Sequence, residues 1–177
     1  MMNYAICDDD PVFCESLLHL IKQYFRLNKI KCQNIDVFHS GEELLAYSKP
    51  YDIVFIDVEM PGLSGIHTSQ KLREKYPRTL FLIITSHDSY IDEAFKFHAF
   101  RYITKPVNKL RLFNNLKDAI KEFTSSNQKI MIETKDGSYT IFASEIIFIE
   151  SAGKHSNIYQ RHCLLFCQQY YILAGAY

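Results

Sequence analysis

The sequence predicts an α/β fold in which a doubly wound, five-stranded parallel sheet is followed by a small β-rich segment. Apolar runs and helical patterns alternate five times between about residues 1 and 124, which is typical of parallel strands joined by right-handed helical crossovers. The run Ile53–Ile56 is continuously apolar, as in strands that are covered on both faces. After about residue 129 the apolar period changes to two, which indicates antiparallel strands.

The five predicted strands are short apolar runs that end at polar residues. They are Tyr4–Cys7, Ile35–Phe38, Ile53–Ile56, Leu80–Ile84 and Phe100–Ile103. Each predicted helix begins at a side chain that can accept hydrogen bonds from the first turn. Four such capping residues are Asp10 (followed by Pro11), Ser40, Ser89 and Asn108, and the remaining helix is expected from Ser64 to Tyr76.

The residues that follow the strands suggest a single site. Because the carboxyl ends of parallel strands meet at one edge of the sheet, we expect Asp8, Asp9, Asp57, Thr85 and Lys105 to lie close together. Two like charges about 4 Å apart repel by about 4 kcal/mol at an effective dielectric of about 20, so the carboxylates need a cation. Oxygen ligands favour Mg²⁺, a lysine can hold a phosphoryl oxygen and a threonine adds a hydroxyl donor. This set suits phosphoryl transfer onto Asp57.

Each residue also has a simpler interpretation when it is taken alone. Asp8–Asp10 can be a solvated helix cap, Lys105 an exposed residue beside a turn proline, Thr85 a β-branched strand residue and Asp57 the start of a loop. Their joint occurrence at successive strand ends favours one site. A phosphatase of the haloacid-dehalogenase type also uses an aspartate after a strand, but its second aspartate would stand where this chain has Glu59.

Four segments together resemble the receiver domain of bacterial two-component response regulators. They are ICDDD, IVFIDVEMPGLSG, LIITSHDSY and FRYITKP, which belong to the first, third, fourth and fifth predicted strands. The resemblance covers about residues 1–124 and implies a flavodoxin-like receiver fold. It also implies a sensor histidine kinase as the phosphoryl donor, and catalysis limited to the chain's own phosphorylation and dephosphorylation.

The resemblance assigns a role to each matching residue. Asp57 would be the phospho-acceptor, Lys105 would hold the phosphoryl group, and Thr85 and Tyr102 would form a switch pair. Mg²⁺ would be bound by Asp9, by Asp8 through water, by Asp57 and by the backbone carbonyl of Glu59. Lys105-Pro106 would be a cis peptide, and Glu59 and His87 would tune the lifetime of the phosphoryl group. Phosphorylation would repack the Ser89–Phe123 face, through which a homodimer could form.

The C-terminal part is similar to the start of a LytTR-type DNA-binding domain. Thr124–Gln128 is polar and is expected to belong to a linker. We expect the receiver domain at residues 1–124, the linker at 125–129 and the C-terminal domain at 130–177. The matching stretch, residues 130–159, contains a hairpin signal at Asp136-Gly137. Lys154, His155 and Asn157 would contact DNA from the loop after Ile149-Glu150, although an ordinary polar hairpin loop is the simpler interpretation.

The last residues do not match that family. After His162 the chain has no Lys, Arg, Asp or Glu, so 130–177 is expected to be a partial domain with apolar strand edges exposed. Two functions therefore stay open. One is a phosphorylation-controlled transcription regulator that binds DNA through a LytTR-type output, and the other is a receiver module that signals through protein contacts or dimerisation alone.

Composition limits the other classes of function. The formal net charge is zero, so the whole chain has no overall attraction to nucleic acid. Five scattered cysteines favour a reducing compartment. The acidic start MMNYAICDDD is not a signal peptide, and no apolar run reaches membrane-spanning length. We therefore expect a cytoplasmic protein without a membrane partner. The sequence contains no Gly-rich nucleotide-binding loop, so ATP is not an expected ligand.

Overall fold

The computed structural model describes residues 2–31, 34–47, 49–86, 97–134, 137–152 and 155–160. For residues 133, 134, 152, 155–157 and 160 only the backbone is described. The chain divides into two compact units, Met1–Ile120 and Lys121–Tyr177. None of the described helices is long and apolar enough to cross a bilayer.

The first unit contains a five-stranded parallel sheet in the order β2-β1-β3-β4-β5. Its elements are β1 (Asn3–Cys7), α1 (Pro11–Leu27), β2 (Asn34–Phe38), α2 (Gly41–Ala46), β3 (Ile53–Ile56), α3 (Gly65–Lys75), β4 (Leu80–Thr85), β5 (Arg101–Thr104) and α4 (Lys109–Ser126), the last of which extends into the second unit. The predicted fold class is confirmed.

Helices cover both faces of this sheet. Alternate residues of β3 enter different apolar clusters: Ile53 and Phe55 pack in a cluster with α1 and α4, and Val54 and Ile56 in one with α2 and α3. All four side chains are at most 1% exposed. Burying a side chain of this size stabilises the fold by about 1.5–3 kcal/mol, which explains the continuous apolar runs of the sequence.

Capping side chains begin the helices where the sequence predicts them. Asp10 accepts hydrogen bonds from the backbone N–H groups of Val12 and Phe13 at 2.9 and 3.2 Å. Comparable bonds join Ser40 to Glu43, Ser64 to His67 and Asn108 to Arg111. The predicted cap Ser89 lies outside the described residues.

The expected linker begins inside a helix. Helix α4 continues to Ser126, so the first three residues of Thr124–Gln128 are helical. Ser125 Oγ donates to the carbonyl of Lys121 at 2.9 Å, and Ser126 Oγ donates to the Glu122 carboxylate at 2.8 Å. These bonds satisfy the hydroxyls on the last turn, so this polar stretch is compatible with a helix.

The second unit continues with two antiparallel hairpins. They consist of β6 (Lys129–Thr134) with β7 (Gly137–Phe142), and β8 (Ile146–Ala152) with β9 (His155–Gln160). Ile132, Ile141 and Ile158 form a small core against which Ile146 packs. Successive side chains of β8 are exposed, with Ile147, Phe148 and Ile149 at 55%, 51% and 56%. The predicted turn residue Asp136 lies outside the described residues.

Candidate functional site

The ends of four neighbouring strands bring the predicted residues to one edge of the sheet. Asp8 follows β1, Asp57 follows β3, Thr85 ends β4 and Lys105 follows β5. Backbone hydrogen bonds continue the ladder at this edge: Asp57 N–H donates to the Cys7 carbonyl at 3.0 Å, and Lys105 N–H donates to the Thr85 carbonyl at 2.8 Å. The strand ladder itself therefore fixes where these side chains start.

Three carboxylates form a cluster at this edge. Asp8, Asp9 and Asp57 each offer an oxygen within 4.8 Å of the others. Asp8 and Asp57 are only 2% and 7% exposed, whereas Asp9 is exposed. Oxygen donors that face solvent on one side suit Mg²⁺, which keeps several of its waters when it binds to protein. The residues present therefore fit the expected metal.

Lys105 joins the two buried carboxylates. Its Nζ donates to Asp57 Oδ2 at 2.6 Å and to Asp8 Oδ2 at 2.7 Å. Burial tends to lower the pKa of Lys105, but the hydrogen bonds and charges of Asp57 and Asp8 outweigh burial and raise it. Lys105 is therefore charged, and by formal charge three carboxylates and one ammonium leave the cluster with two negative charges. One divalent cation would balance them.

The protonation of Asp8 depends on opposing effects. Burial raises its pKa, and the charge of Asp57 acts in the same direction. Hydrogen bonds from Lys105 and from the backbone N–H of Asp10 act in the opposite direction, but the net shift of the pKa is upward. A cation beside Asp8 would favour its ionised form.

Thr85 carries a buried hydroxyl at the end of β4. The residue is fully buried, and its Oγ1 has no hydrogen-bond partner among the described residues. A buried polar group without a partner costs about 1–3 kcal/mol, so the hydroxyl is available to an acceptor that enters the site. Tyr102 lies on the adjacent strand β5, where it is partly buried against the apolar cluster that includes Phe81. The pairing of Thr85 and Tyr102 as a switch remains a prediction.

The loop after Asp57 donates a backbone hydrogen bond to the Asp57 carboxylate. The backbone N–H of Glu59 donates to Asp57 Oδ1 at 3.3 Å, while the Glu59 side chain is exposed. Gly65, the first residue of α3, packs so closely that a Cβ atom there would lie 1.8 Å from the Asp57 carbonyl oxygen. The sequence carried no signal of this contact, since Gly65 was noted only as the last residue of the segment IVFIDVEMPGLSG.

Phe13 is a second residue that the sequence did not assign to the site. Its ring lies in α1, and the Lys105 ammonium is 4.1 Å from the ring centroid. Phe13, Lys105 and Pro106 also line a cavity of about 430 Å³, together with Ser16, Leu17, Leu20, Ser86 and Val107. The place of Phe13 in the first turn after the predicted cap Asp10 carried no signal of a contact with a lysine far along the chain.

The remaining predicted residues have mixed outcomes. The Lys105-Pro106 bond is cis, as the resemblance implied. His155 and Asn157 do not lie in a loop but in β9, opposite Ala152 and Glu150, because β8 continues to Ala152 and pairs until only two residues separate the strands. His87, Lys154 and residues 89–96 of the Ser89–Phe123 face lie outside the described residues.

Residues 5–117 match the family model described as the response regulator receiver domain. The chain belongs to this family. It is 35% identical to the positive alginate biosynthesis regulatory protein of Pseudomonas aeruginosa over 122 residues, which is 67% of this chain and 47% of that protein. It is 29% identical to the transcriptional regulatory protein LytR of Staphylococcus aureus over 176 residues, 91% of this chain and 69% of that protein.

A solved structure shares the fold of the first unit. The response regulator TrrA of Thermotoga maritima, in complex with Mg²⁺ and BeF, matches with a TM-score of 0.56 and 28% identity over 70% of this chain and 99% of that one. The chain spans about half the length of several curated relatives, such as the alginate regulator (47%) and the sensory transduction protein LytR of Staphylococcus haemolyticus (48%).

Proposed function

We propose that this receiver is the phosphorylation-controlled part of a two-component transcription regulator. Asp57 accepts a phosphoryl group from a phosphohistidine of a sensor histidine kinase. The observation that carries the proposal is the Lys105 ammonium placed between Asp57 and Asp8, beside a third carboxylate. A nucleophile, a cation and a set of metal ligands are thereby present at one end of the sheet.

The transfer breaks the P–N bond of a phosphohistidine whose other ring nitrogen is protonated and forms a P–O bond to an Asp57 carboxylate oxygen, so that the leaving imidazole is neutral. Asp8, Asp9, Asp57 and the backbone carbonyl of Glu59 would hold Mg²⁺, which neutralises charge on the phosphoryl oxygens when it is bound. Lys105 changes partners: its ammonium leaves Asp57 Oδ2 and holds a phosphoryl oxygen. Hydrolysis by water returns the carboxylate, and we propose no other catalysis.

The proposed switch begins at the Thr85 hydroxyl. A phosphoryl oxygen on Asp57 provides the acceptor that this hydroxyl lacks among the described residues. The resulting movement of Thr85 would leave room for Tyr102 to turn inward and repack the Ser89–Phe123 face. Phosphorylation shifts this equilibrium only as far as it binds one state better than the other.

The output belongs to the same proposal. We place the receiver at residues 1–124, the linker at 125–129 and a partial LytTR-type output at 130–177, with DNA as the partner of a complete output. The support is that similarity to a protein named a transcriptional regulator covers 91% of this chain. Contacts to DNA by Lys154, His155 and Asn157 remain part of the proposal.

One observation favours a second candidate function, signalling through protein contacts or dimerisation without DNA. Ile147, Phe148 and Ile149 are each more than half exposed on β8, and Met131 on β6 is 69% exposed. Large apolar side chains exposed in this number on two short hairpins are typical of a chain that binds another protein. Zero net charge also provides no general attraction to DNA.

Intact-mass spectrometry tests the phosphoryl transfer. The wild-type chain is incubated with acetyl phosphate and Mg²⁺ and compared with Asp57→Asn and with a sample that contains EDTA. We expect one phosphoryl adduct on the wild type and none in the other two. Asp52→Asn is a control because its carboxylate lies at the start of β3, and it should be phosphorylated normally. A folded wild type without an adduct would overturn the proposal.

The two outputs are separated by comparing the phosphorylated and unphosphorylated chains. Sedimentation velocity measures self-association, and selection from a random duplex pool followed by titration at several salt concentrations measures DNA binding. A specific site whose affinity falls steeply with salt supports the transcription regulator. Phosphorylation-dependent dimers without any selected site would favour the protein-contact function instead.

A further inference from the structure

The Lys105 ammonium is enclosed on three sides. Two sides are carboxylates, Asp57 at 2.6 Å and Asp8 at 2.7 Å, and the third is the ring of Phe13 at 4.1 Å. The Lys105 side chain is only 16% exposed. Phe13 therefore occupies a direction from which water would otherwise reach the ammonium.

The start of α1 fixes the position of this ring. Asp10 accepts a hydrogen bond from the backbone N–H of Phe13 at 3.2 Å, so Phe13 belongs to the capped first turn. Asp10 in turn donates its own N–H to Asp8 at 3.0 Å. The backbone that presents the buried carboxylate thus also presents the ring, and both are held in register with Lys105.

The ring has an electrostatic effect as well as a steric one. An ammonium over an aromatic face is attracted by the ring quadrupole, and the attraction grows as water is excluded. A leucine of similar bulk would fill the same space without this attraction. Part of the ring also packs against the apolar core of the first unit, so a purely structural role of Phe13 is the alternative to be tested.

We infer that Phe13 is a positioning residue for Lys105: its ring restrains the ammonium at the site so that an incoming phosphoryl group finds the cation already in place. This inference rests on the proposed function of Lys105 as the group that holds the phosphoryl oxygens. It makes the aromatic ring a determinant of phosphoryl affinity, and not of metal affinity, because the proposed metal ligands lie on the loops after β1 and β3.

Lys105 must keep its place while it exchanges a carboxylate for a phosphoryl oxygen. During this exchange the bond to Asp57 is lost, and the ring remains as an uncharged partner that does not compete for the new oxygen. Loss of a cation–π contact at a partly exposed site corresponds to about a two- to fivefold change in affinity. The effect should therefore be measurable without abolishing phosphorylation.

The test uses BeF₃⁻ as the phosphoryl analogue and calorimetric titration of the full chain. BeF₃⁻ affinity is measured at saturating Mg²⁺, and Mg²⁺ affinity is measured separately, for the wild type, Phe13→Leu and Phe13→Tyr. Leu20→Ala is the matched control because Leu20 lines the same cavity. We expect a two- to fivefold weaker BeF₃⁻ affinity in Phe13→Leu alone, with unchanged Mg²⁺ affinity, and near-wild-type values in Phe13→Tyr.

Other outcomes overturn the inference. Equal BeF₃⁻ affinity in the wild type and Phe13→Leu would show that the ring does not act on Lys105, and a parallel loss of Mg²⁺ affinity would show a structural role. If Phe13→Leu fails to fold, fluorinated phenylalanines at position 13 replace it, because they keep the shape and weaken the ring quadrupole. The same BeF₃⁻ affinity with fluorinated and with unmodified Phe13 would then refute the inference. A wild type that binds no BeF₃⁻ would instead refute the proposed function itself.

Discussion

Replacing Gly65 by alanine is expected to disable Asp57 without touching its side chain. The added Cβ would lie 1.8 Å from the Asp57 carbonyl oxygen and 2.7 Å from its carbonyl carbon. Both are backbone atoms, so neither can rotate away. Because real Cβ contacts are essentially never shorter than 3.0 Å, either Asp57 or the start of α3 must move by more than about 1 Å.

The size of the effect follows from this displacement. Overpacking of a close-packed site typically costs about 1–3 kcal/mol of unfolding free energy. A displacement of about 1 Å at a reacting group can lower a rate by about 100-fold. We therefore expect Gly65→Ala to fold with reduced stability and to accept phosphoryl groups from acetyl phosphate at least tenfold more slowly.

The assay separates stability from positioning. Urea titration gives the free energy of unfolding, and time-resolved intact mass gives the initial rate of adduct formation for the folded protein. Gly41→Ala is the matched control: Gly41 also begins a helix, but its added Cβ would meet Thr68 Oγ1 at 2.1 Å instead of Asp57. Wild-type stability and wild-type rate in Gly65→Ala would refute the reasoning, as would equal loss of rate in both variants.

Three further predictions concern single side chains. Thr85→Val should leave the unphosphorylated protein as stable as the wild type or about 1 kcal/mol more stable in urea titrations, because the lost hydroxyl has no partner among the described residues. Burial tends to raise the pKa of Asp36, but hydrogen bonds from Lys49 at 2.9 Å and Tyr51 at 2.8 Å outweigh it and lower the pKa below 3.8. Asp36→Asn should therefore destabilise the protein at neutral pH, and its difference from the wild type should shrink as the pH falls below about 4. Arg73→Lys should lower the free energy of unfolding by about 1–2 kcal/mol in urea titrations. The reason is that the Arg73 guanidinium lies over the Phe97 ring at 3.9 Å and donates to two backbone carbonyls.

Each of these predictions has an outcome that contradicts it. Destabilisation of Thr85→Val by more than about 1 kcal/mol would mean that the hydroxyl is hydrogen-bonded in solution. A difference between the wild type and Asp36→Asn that stays constant from neutral to acidic pH would mean that the carboxylate titrates alike in the folded and unfolded chains. A fully stable Arg73→Lys would mean that the charge alone, and not the planar guanidinium, holds the segment at Phe97.

Sequence reasoning located the cluster of carboxylates and Lys105 because the cluster is built from strand ends. A continuous apolar run predicts a strand covered on both faces, and parallel strands bring the residues after them to one edge. Asp8, Asp57 and Lys105 lie immediately after their strands, and the structure brings their side chains within hydrogen-bonding distance. The helix starts were predictable for a similar local reason, since a capping side chain bonds to residues only two or three positions away.

Apolar periodicity failed where hydrogen bonds to nearby polar or backbone groups, and not apolar packing, accompany the observed structure. Helix α4 continues to Ser126, with the hydroxyls of Ser125 and Ser126 hydrogen-bonded, through a stretch whose composition suggested a linker. Strand pairing with β8 places His155 and Asn157 in β9, although their polar character suggested a loop. In both cases the segment forms hydrogen bonds that cannot be predicted from apolar periodicity.

The sequence by itself determined the α/β class, the order of the elements in the first unit and the residues that meet at its sheet edge. These depend on hydrophobic periodicity, on helix-capping residues and on the common direction of parallel strands, all of which can be recognised in short stretches of the chain. Only the tertiary structure decided that Gly65 packs onto Asp57 and that the Phe13 ring faces Lys105. Such contacts depend on distances of a few ångströms between separate elements, and these distances are set by the packing of the whole first unit.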